Sequence, residues 1–314
     1  MFSKCPDVVY SNTWPIISTG IISLVCKFRS IPIIIHVKDM YPESLSVQGR
    51  VRSEHWSYRL LLKFDKWIVN QAAALIVLSE SFALGYAQTR GIDPSTLHVI
   101  PDWIEAGQVE VQEKEAYRKK VGISSDAFVI AYGGNIGTAA GVETVIEAME
   151  RVRSDREIVL VVAGSGSRVE ACRQLAEQIH NVRVVFHSPW AAEDTAQVLG
   201  SADVLLLPTR GKQSLASIPS KLLSYLLASR PVLAAVMEES DTAYVIEKGN
   251  CGWITEPDNP EKFARKVEEL IEVKTEILEK MGRAGREYVL ANFSSDKCVP
   301  RVIEVIECAA QKKI

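Results

Sequence analysis

Lys221 is the residue whose placement asks most plainly for a chemical reason. The segment 217–231, SIPSKLLSYLLASRP, follows the apolar run DVLLLP at 203–208 through the polar loop 209–216. Pro219 suits the first turn of a helix and Ser217 or Ser220 can cap it, which puts Lys221 where helical N–H groups are free. A cation there opposes the helix dipole at a cost of a few tenths of a kcal/mol, unless an anion absorbs both. A solvated lysine is the plain alternative. A second stretch supplies what Lys221 lacks. In AYGGNIGTAAGVETVIEAME, at 131–150, the glycines Gly133, Gly134, Gly137 and Gly141 lie between a strand-like run and an apolar series at helical spacing, Val142, Val145, Ile146 and Met149. Such a turn offers bare backbone donors and a helix start, the chemistry that holds a phosphate or diphosphate. Its spacing matches neither the Walker pattern nor G-x-G-x-x-G, and a glycine turn alone can simply turn tightly.

The elements that must position these residues follow a βα rhythm. Strands are predicted at Val8–Tyr10, Ile31–Val37, Ala74–Leu78 and Leu97–Ile100, with helices near 14–28, 52–71 and 81–89 between them. A second series predicts strands at Phe128–Tyr132, Ile158–Ala163, Val182–Phe186, Val204–Leu207 and Val232–Val236, alternating with helices, and three closing helices from Glu261 onward. Runs of Val, Ile and Leu argue for parallel sheets covered on both faces. The acidic, aperiodic stretch 102–115 reads as the junction, giving domains at 1–108 and 109–314.

The ordered set GGNIGTAAGVETVIEAM, VVAGSGS at 161–167, DVLLLP and IPSKLLSYLLASRPVLA resembles the donor domain of the retaining family-4 glycosyltransferases, in particular the bacterial colanic-acid and O-antigen type. PDVVYSN, IPIIIHVKDMYPESL and LIVLSESFALGYAQTRGIDPSTLHVIPDWIE resemble the later part of that family's acceptor domain. The resemblance spans nearly the whole chain. It implies an α/β GT-B architecture: two Rossmann-like, doubly wound parallel-sheet domains facing a cleft, the last helix (about 295–312) packing back toward the N-terminal domain. It also implies a nucleotide-diphosphate sugar as donor substrate, with Gly134, Asn135 and Gly137 along the diphosphate and Lys221 paired to it. Gly164 and Ser165 would end the next strand at the cleft, Ser188 or Trp190 would reach the base, Ser220, Leu222 and Leu223 would lie beside sugar and ribose, and Ser224 would stand at the ribose hydroxyls. For Trp190, packing beneath a loop is the competing reading. Two departures stand out. The family's paired glutamates correspond to Ala216 and Ser224, and its opening βα units have no counterpart ahead of PDVVYSN, so the first domain is expected to be incomplete.

On the acceptor side, Lys38 and Asp39 in HVKDMYPES follow a strand directly, at the sheet edge where ligands bind, and are the candidate catalytic residues. A turn-forming Asp is the plain reading of Asp39. No Asp-x-Asp motif or spaced ligand cluster appears, so no metal and no cofactor beyond the donor is expected. Arg52, Arg59, Lys63 and Lys66 are spaced along one helical face, with Trp56, Leu60, Phe64, Trp67 and Ile68 assigned to the other. That pattern suits contact with an anionic leaflet, or an ordinary solvated helix.

The 314 residues, 47% hydrophobic with a formal net charge of −3, suffice for two folded domains and argue against nucleic-acid binding. Six scattered cysteines without a C-x-x-C pair suit free thiols in a reducing compartment. The run 14–28 is too short and too polar for a membrane span. The expectation is a cytoplasmic enzyme, at the inner face of the membrane, passing sugar to a lipid-linked glycan acceptor. Two rivals stay open: a nucleotide-sugar 2-epimerase, and a non-catalytic nucleotide-sugar-binding fragment or partner subunit.

Overall fold

The computed structural model describes residues 5–216 and 218–311. It divides into two compact units, the first running through Trp103 and taking in Ala216–Ile218 and the chain from Ser295 on, the second comprising Ile104–Leu215 and Pro219–Ser294.

In the first unit β1 (Val9–Asn12), β2 (Ile33–Val37), β3 (Ala74–Val77) and β4 (Leu97–Val99) form a parallel sheet in that order. β2 and β3 read as unbroken apolar runs because both of their faces are covered. Ile33, Ile35, Val37, Leu75 and Val77 point into one layer, with Ile16, Cys26, Ile68, Phe82 and Tyr86 from the helices Ile16–Phe28, Trp56–Val69 and Glu80–Arg90. Ile34, Ala74 and Ile76 point the other way, onto Cys298, Val302, Val305 and Ala309 of the helix Ser295–Gln311. The closing helix therefore supplies this sheet's second layer. Arg90, fully buried, binds Asp65 at 2.9 Å, Glu43 at 2.6 Å and the Tyr41 carbonyl at 2.5 Å. It thereby fixes the turn that follows β2.

In the second unit β5 (Phe128–Gly133), β6 (Ile158–Ala163), β7 (Arg183–His187), β8 (Val204–Pro208), β9 (Val232–Ala235) and β10 (Gly252–Thr255) form a parallel sheet in the order β10-β9-β8-β5-β6-β7. Strand order reverses beside β5, a topological switch point of the kind that opens a crevice at the strands' carboxyl ends. Along β5 the side chains alternate by period 2 between two cores, Val129 and Ala131 in one, Phe128, Ile130 and Tyr132 in the other.

The chain differs from its expected elements in several places. β10 and the helix Asp241–Lys248 were not anticipated, although Ser240 caps that helix by accepting from Ala243 N–H. GWIT at 252–255 is too short to stand out as a strand. The helix Lys114–Val121 begins inside the stretch read as a junction, and the boundary between units falls at Trp103, ahead of 108. Arg52 precedes the helix Trp56–Val69 instead of sharing its face. Of the cysteines, Cys26, Cys172, Cys251 and Cys298 are buried and free, while Cys5 and Cys308 are exposed. No helix among the described residues is long and apolar enough to cross a membrane.

Asp203 anchors the amino end of the second sheet. Its buried carboxylate accepts from Lys114 at 2.7 Å, Arg118 at 2.9 Å and Val129 N–H at 2.8 Å. Burial opposes its ionisation, yet Lys114 and Arg118 outweigh that and hold its pKa below the ordinary value. Asp203→Ala strands the buried Arg118 and should cost about 3–5 kcal/mol, read as a lowered unfolding midpoint. Because the folded-state pKa is depressed, the native stabilisation is present above the unfolded-state pKa and fades as pH falls through the folded one, a dependence the variant should lack.

Candidate anion-binding site

β5 and β8 are in register only at Ile130–Val204 and Ala131–Leu205, so the strands part at the level of Tyr132, and the glycine loop leaves β5 just beyond. Tyr225, buried on the helix Lys221–Leu227, holds the strand's end: its hydroxyl accepts from Gly133 N–H and donates to Gly133 C=O, each at 2.9 Å. The loop after β6 is zipped to the glycine loop through backbone alone. Gly134 N–H donates to Ala163 at 2.9 Å, Ile136 N–H to Ser165 at 2.8 Å and Arg168 N–H to Ile136 at 3.0 Å. The approach is so close that a Cβ on Gly164 would lie 1.9 Å from the Gly134 carbonyl oxygen.

Lys221 reaches this loop. A Cβ on Gly134 would stand 3.3 Å from the Lys221 Nζ. The amine donates to the Tyr132 hydroxyl at 2.7 Å, and that hydroxyl donates to the Asn135 carbonyl at 2.6 Å. Burial pushes the Lys221 pKa down to about 8, with no carboxylate among the described residues near enough to restore it. A half-buried ammonium beside loop amides that lack acceptors is suited to an anion. Among the described residues the N–H groups of Asn135, Gly137 and Thr138 have no acceptor.

The residues singled out from sequence divide accordingly. Gly134, Asn135, Gly137, Gly164, Ser165 and Lys221 come together. Gly134 is not a free donor, however, since its N–H is spent on the zipper. Nor are the first amides of the lysine helix free: Leu222 N–H donates to Pro219 and Leu223 N–H to Ser220, and the Ser220 side chain makes no cap. Ser217, the other candidate cap, lies outside the described residues. Leu223 is a core side chain at 5% exposure, while Ser224 is half-buried and Ser220 exposed. Trp190 packs beneath the end of β5, where a Cβ on Gly133 would sit 2.9 Å from its ring, and its buried indole N–H has no partner. Ser188 is half-buried beside His187, whose ring binds Tyr117 at 3.1 Å and Asp194 at 3.0 Å.

In the first unit Lys38 is ion-paired with Asp102 and lies over the Trp103 ring, 5.3 Å from its centroid. Burial, then the charge of Asp102, raises the pKa of Asp39. His36 is wholly buried, and burial together with Lys38 lowers its pKa to about 4.

Tyr132 was missed because a tyrosine in an apolar strand reads as core. Glu143 was missed for a related reason. It sits in the first turn of the helix Val142–Met149 with its carboxylate buried, bound to Arg168 at 2.5 Å and Arg210 at 3.3 Å, and so ties three loops together. Acid in a helix's first turn was a usable signal.

The zipper predicts that Gly164→Ala cannot be absorbed by a rotamer change. The loops must separate, at an expected cost of about 1–3 kcal/mol, so thermal unfolding should move down; an unchanged midpoint contradicts the close approach.

Comparison with known proteins accords with this geometry. The family described as "Glycosyl transferases group 1" matches residues 113–288, and "Glycosyl transferase 4-like domain" matches 2–103. The "Probable glycosyltransferase WbjE" of Pseudomonas aeruginosa is 24% identical over 92% of this chain and 71% of its own. The "Putative colanic acid biosynthesis glycosyl transferase WcaI" of Escherichia coli K12 is 20% identical over 90% and 69%. Anabaena Alr3699/HepE, solved in complex with UDP, shares the fold at a TM-score of 0.77 and 16% identity, over 96% of this chain and 79% of that one. With more than half of its length matched by one family, the chain belongs to the group 1 glycosyltransferases and has their GT-B fold.

Proposed function

We propose that this glycosyltransferase moves a sugar, with retention at the anomeric carbon, from a nucleotide-diphosphate sugar to a lipid-linked or polysaccharide acceptor in cell-surface polysaccharide synthesis. One observation carries the reading: Lys221 is half-buried against the glycine loop with a phenol as its neighbour and, among the described residues, no counter-anion. A diphosphate supplies the missing charge. In the reaction the bond from the anomeric carbon to the diphosphate oxygen breaks, the acceptor oxygen forms the new bond on the same face and passes its proton to the departing diphosphate, on which negative charge collects. The Lys221 ammonium and the amides of Asn135, Gly137 and Thr138 stabilise that charge. Lys38 and Asp39 are proposed to act on the acceptor, Asp39 orienting its hydroxyl. Complexes of structural neighbours with UDP and with UDP-glucose favour a uridine donor.

The acceptor's lipid gives the first unit a role at the cytoplasmic face of the membrane. Trp56 and Leu60, 67% and 57% exposed, lie on the same side of their helix as Arg59 and Lys63, not opposite them. The neighbouring helix exposes Ile17, Ile21 and Phe28. Apolar side chains among basic ones suit an anionic leaflet. Arg52 and Lys66, both exposed, add to the charge.

Lys221→Ala removes charge-assisted bonds of about 1.5–3 kcal/mol, so donor affinity should fall about 10- to 100-fold. Calorimetry with UDP-glucose checks this, and unchanged affinity removes Lys221 from the site. The pH dependence has a definite sign. The diphosphate needs the ammonium form, so affinity should be level below about pH 7 and decline about tenfold per unit above pH 8, following a Lys221 pKa of about 8. For the membrane, sedimentation with phosphatidylglycerol vesicles should drop severalfold in the pair Arg59→Glu and Lys63→Glu; equal binding contradicts the leaflet contact.

A further inference from the structure

We infer that Tyr132 is a positioning residue of this site, a single hydroxyl that sets both the Lys221 amine and the crest of the glycine loop. The inference rests on the donor reading above for its consequence, but its geometry stands alone. An ammonium can only donate, so in the 2.7 Å contact the Tyr132 oxygen must accept. The one phenolic proton is then committed to the Asn135 carbonyl, 2.6 Å away. Direction is thus forced along the whole relay, from Lys221 through Tyr132 to Asn135.

The relay clamps one peptide from both sides. The Asn135 carbonyl is held by Tyr132, and the N–H of the same peptide, on Ile136, donates to Ser165 at 2.8 Å. With that peptide fixed, the flanking N–H groups of Asn135 and Gly137 keep a set direction and remain unspent. Tyr132 is itself held rigid, being fully buried in β5 next to Gly133, whose peptide groups are bound by Tyr225. The Lys221 amine has no carboxylate to hold it, so the phenol defines where it points. Phenylalanine at 132 would keep the packing and lose both bonds. Burial also raises the Tyr132 pKa, which keeps the hydroxyl neutral and its proton available.

The test is a double-mutant cycle read with UDP and GDP as probes, alongside titration of Lys221 by NMR in the unliganded chain. Tyr132→Phe should weaken nucleotide binding about tenfold in the native background and by less in Lys221→Ala, where only the loop's share of the phenol's effect remains. It should also lower the Lys221 midpoint, since the ammonium loses the one acceptor it has among the described residues. Equal losses in both backgrounds, or an unmoved Lys221 midpoint, overturn the inference. In the unsubstituted chain the Tyr132 Cζ resonance should titrate with the Lys221 midpoint. This measurement does not need the variant to fold, and an invariant resonance counts against the relay. If neither nucleotide binds the native chain, the donor reading fails, while the two titrations still decide whether Tyr132 and Lys221 are coupled.

Discussion

An ammonium group partly withdrawn from water, with no negative partner among the described residues, is the constraint on which the second unit turns. A pKa displaced from 10.5 to about 8 means that the folded chain holds the charged form of Lys221 at a penalty on the order of a few kcal/mol. Proteins carry such penalties at sites where a ligand relieves them. The surrounding pieces are consistent with that purpose. A strand order that reverses beside β5 opens the crevice, two tyrosines hold the strand's end, and a loop of small residues lets the amine approach the backbone.

The two units solve the same burial problem differently. The second sheet fills both faces with helices from its own stretch of chain, and its two cores meet alternate residues of β5. The first sheet takes its second layer from the helix Ser295–Gln311, at the far end of the sequence. A chain can therefore show a βα rhythm for one layer while its other layer is encoded two hundred residues away.

That difference explains what the sequence disclosed. Strands buried on both faces, such as Ile158–Ala163, were legible because an uninterrupted β-branched run has few other uses. The glycine loop and Lys221 were legible together, since each is odd without the other. Tyr132, Glu143 and Arg168 were not, because their roles depend on partners that only tertiary structure supplies. Trp56 and Leu60 show a subtler failure: apolar residues at helical spacing were assigned to the face opposite the basic ones, yet both are exposed beside Arg59 and Lys63.

The backbone contact between Gly164 and Gly134 also limits how this scaffold can diversify. Where a carbonyl stands 1.9 Å from the place a methyl would occupy, no side chain can be tried out. New sugar preferences must arise at positions that face outward from the seam, such as Thr138, Ala139 and Ser165, all of them exposed. The seam admits no side chain without the loops moving apart, whereas its margins do, so a scaffold of this kind has room for change only at its edges.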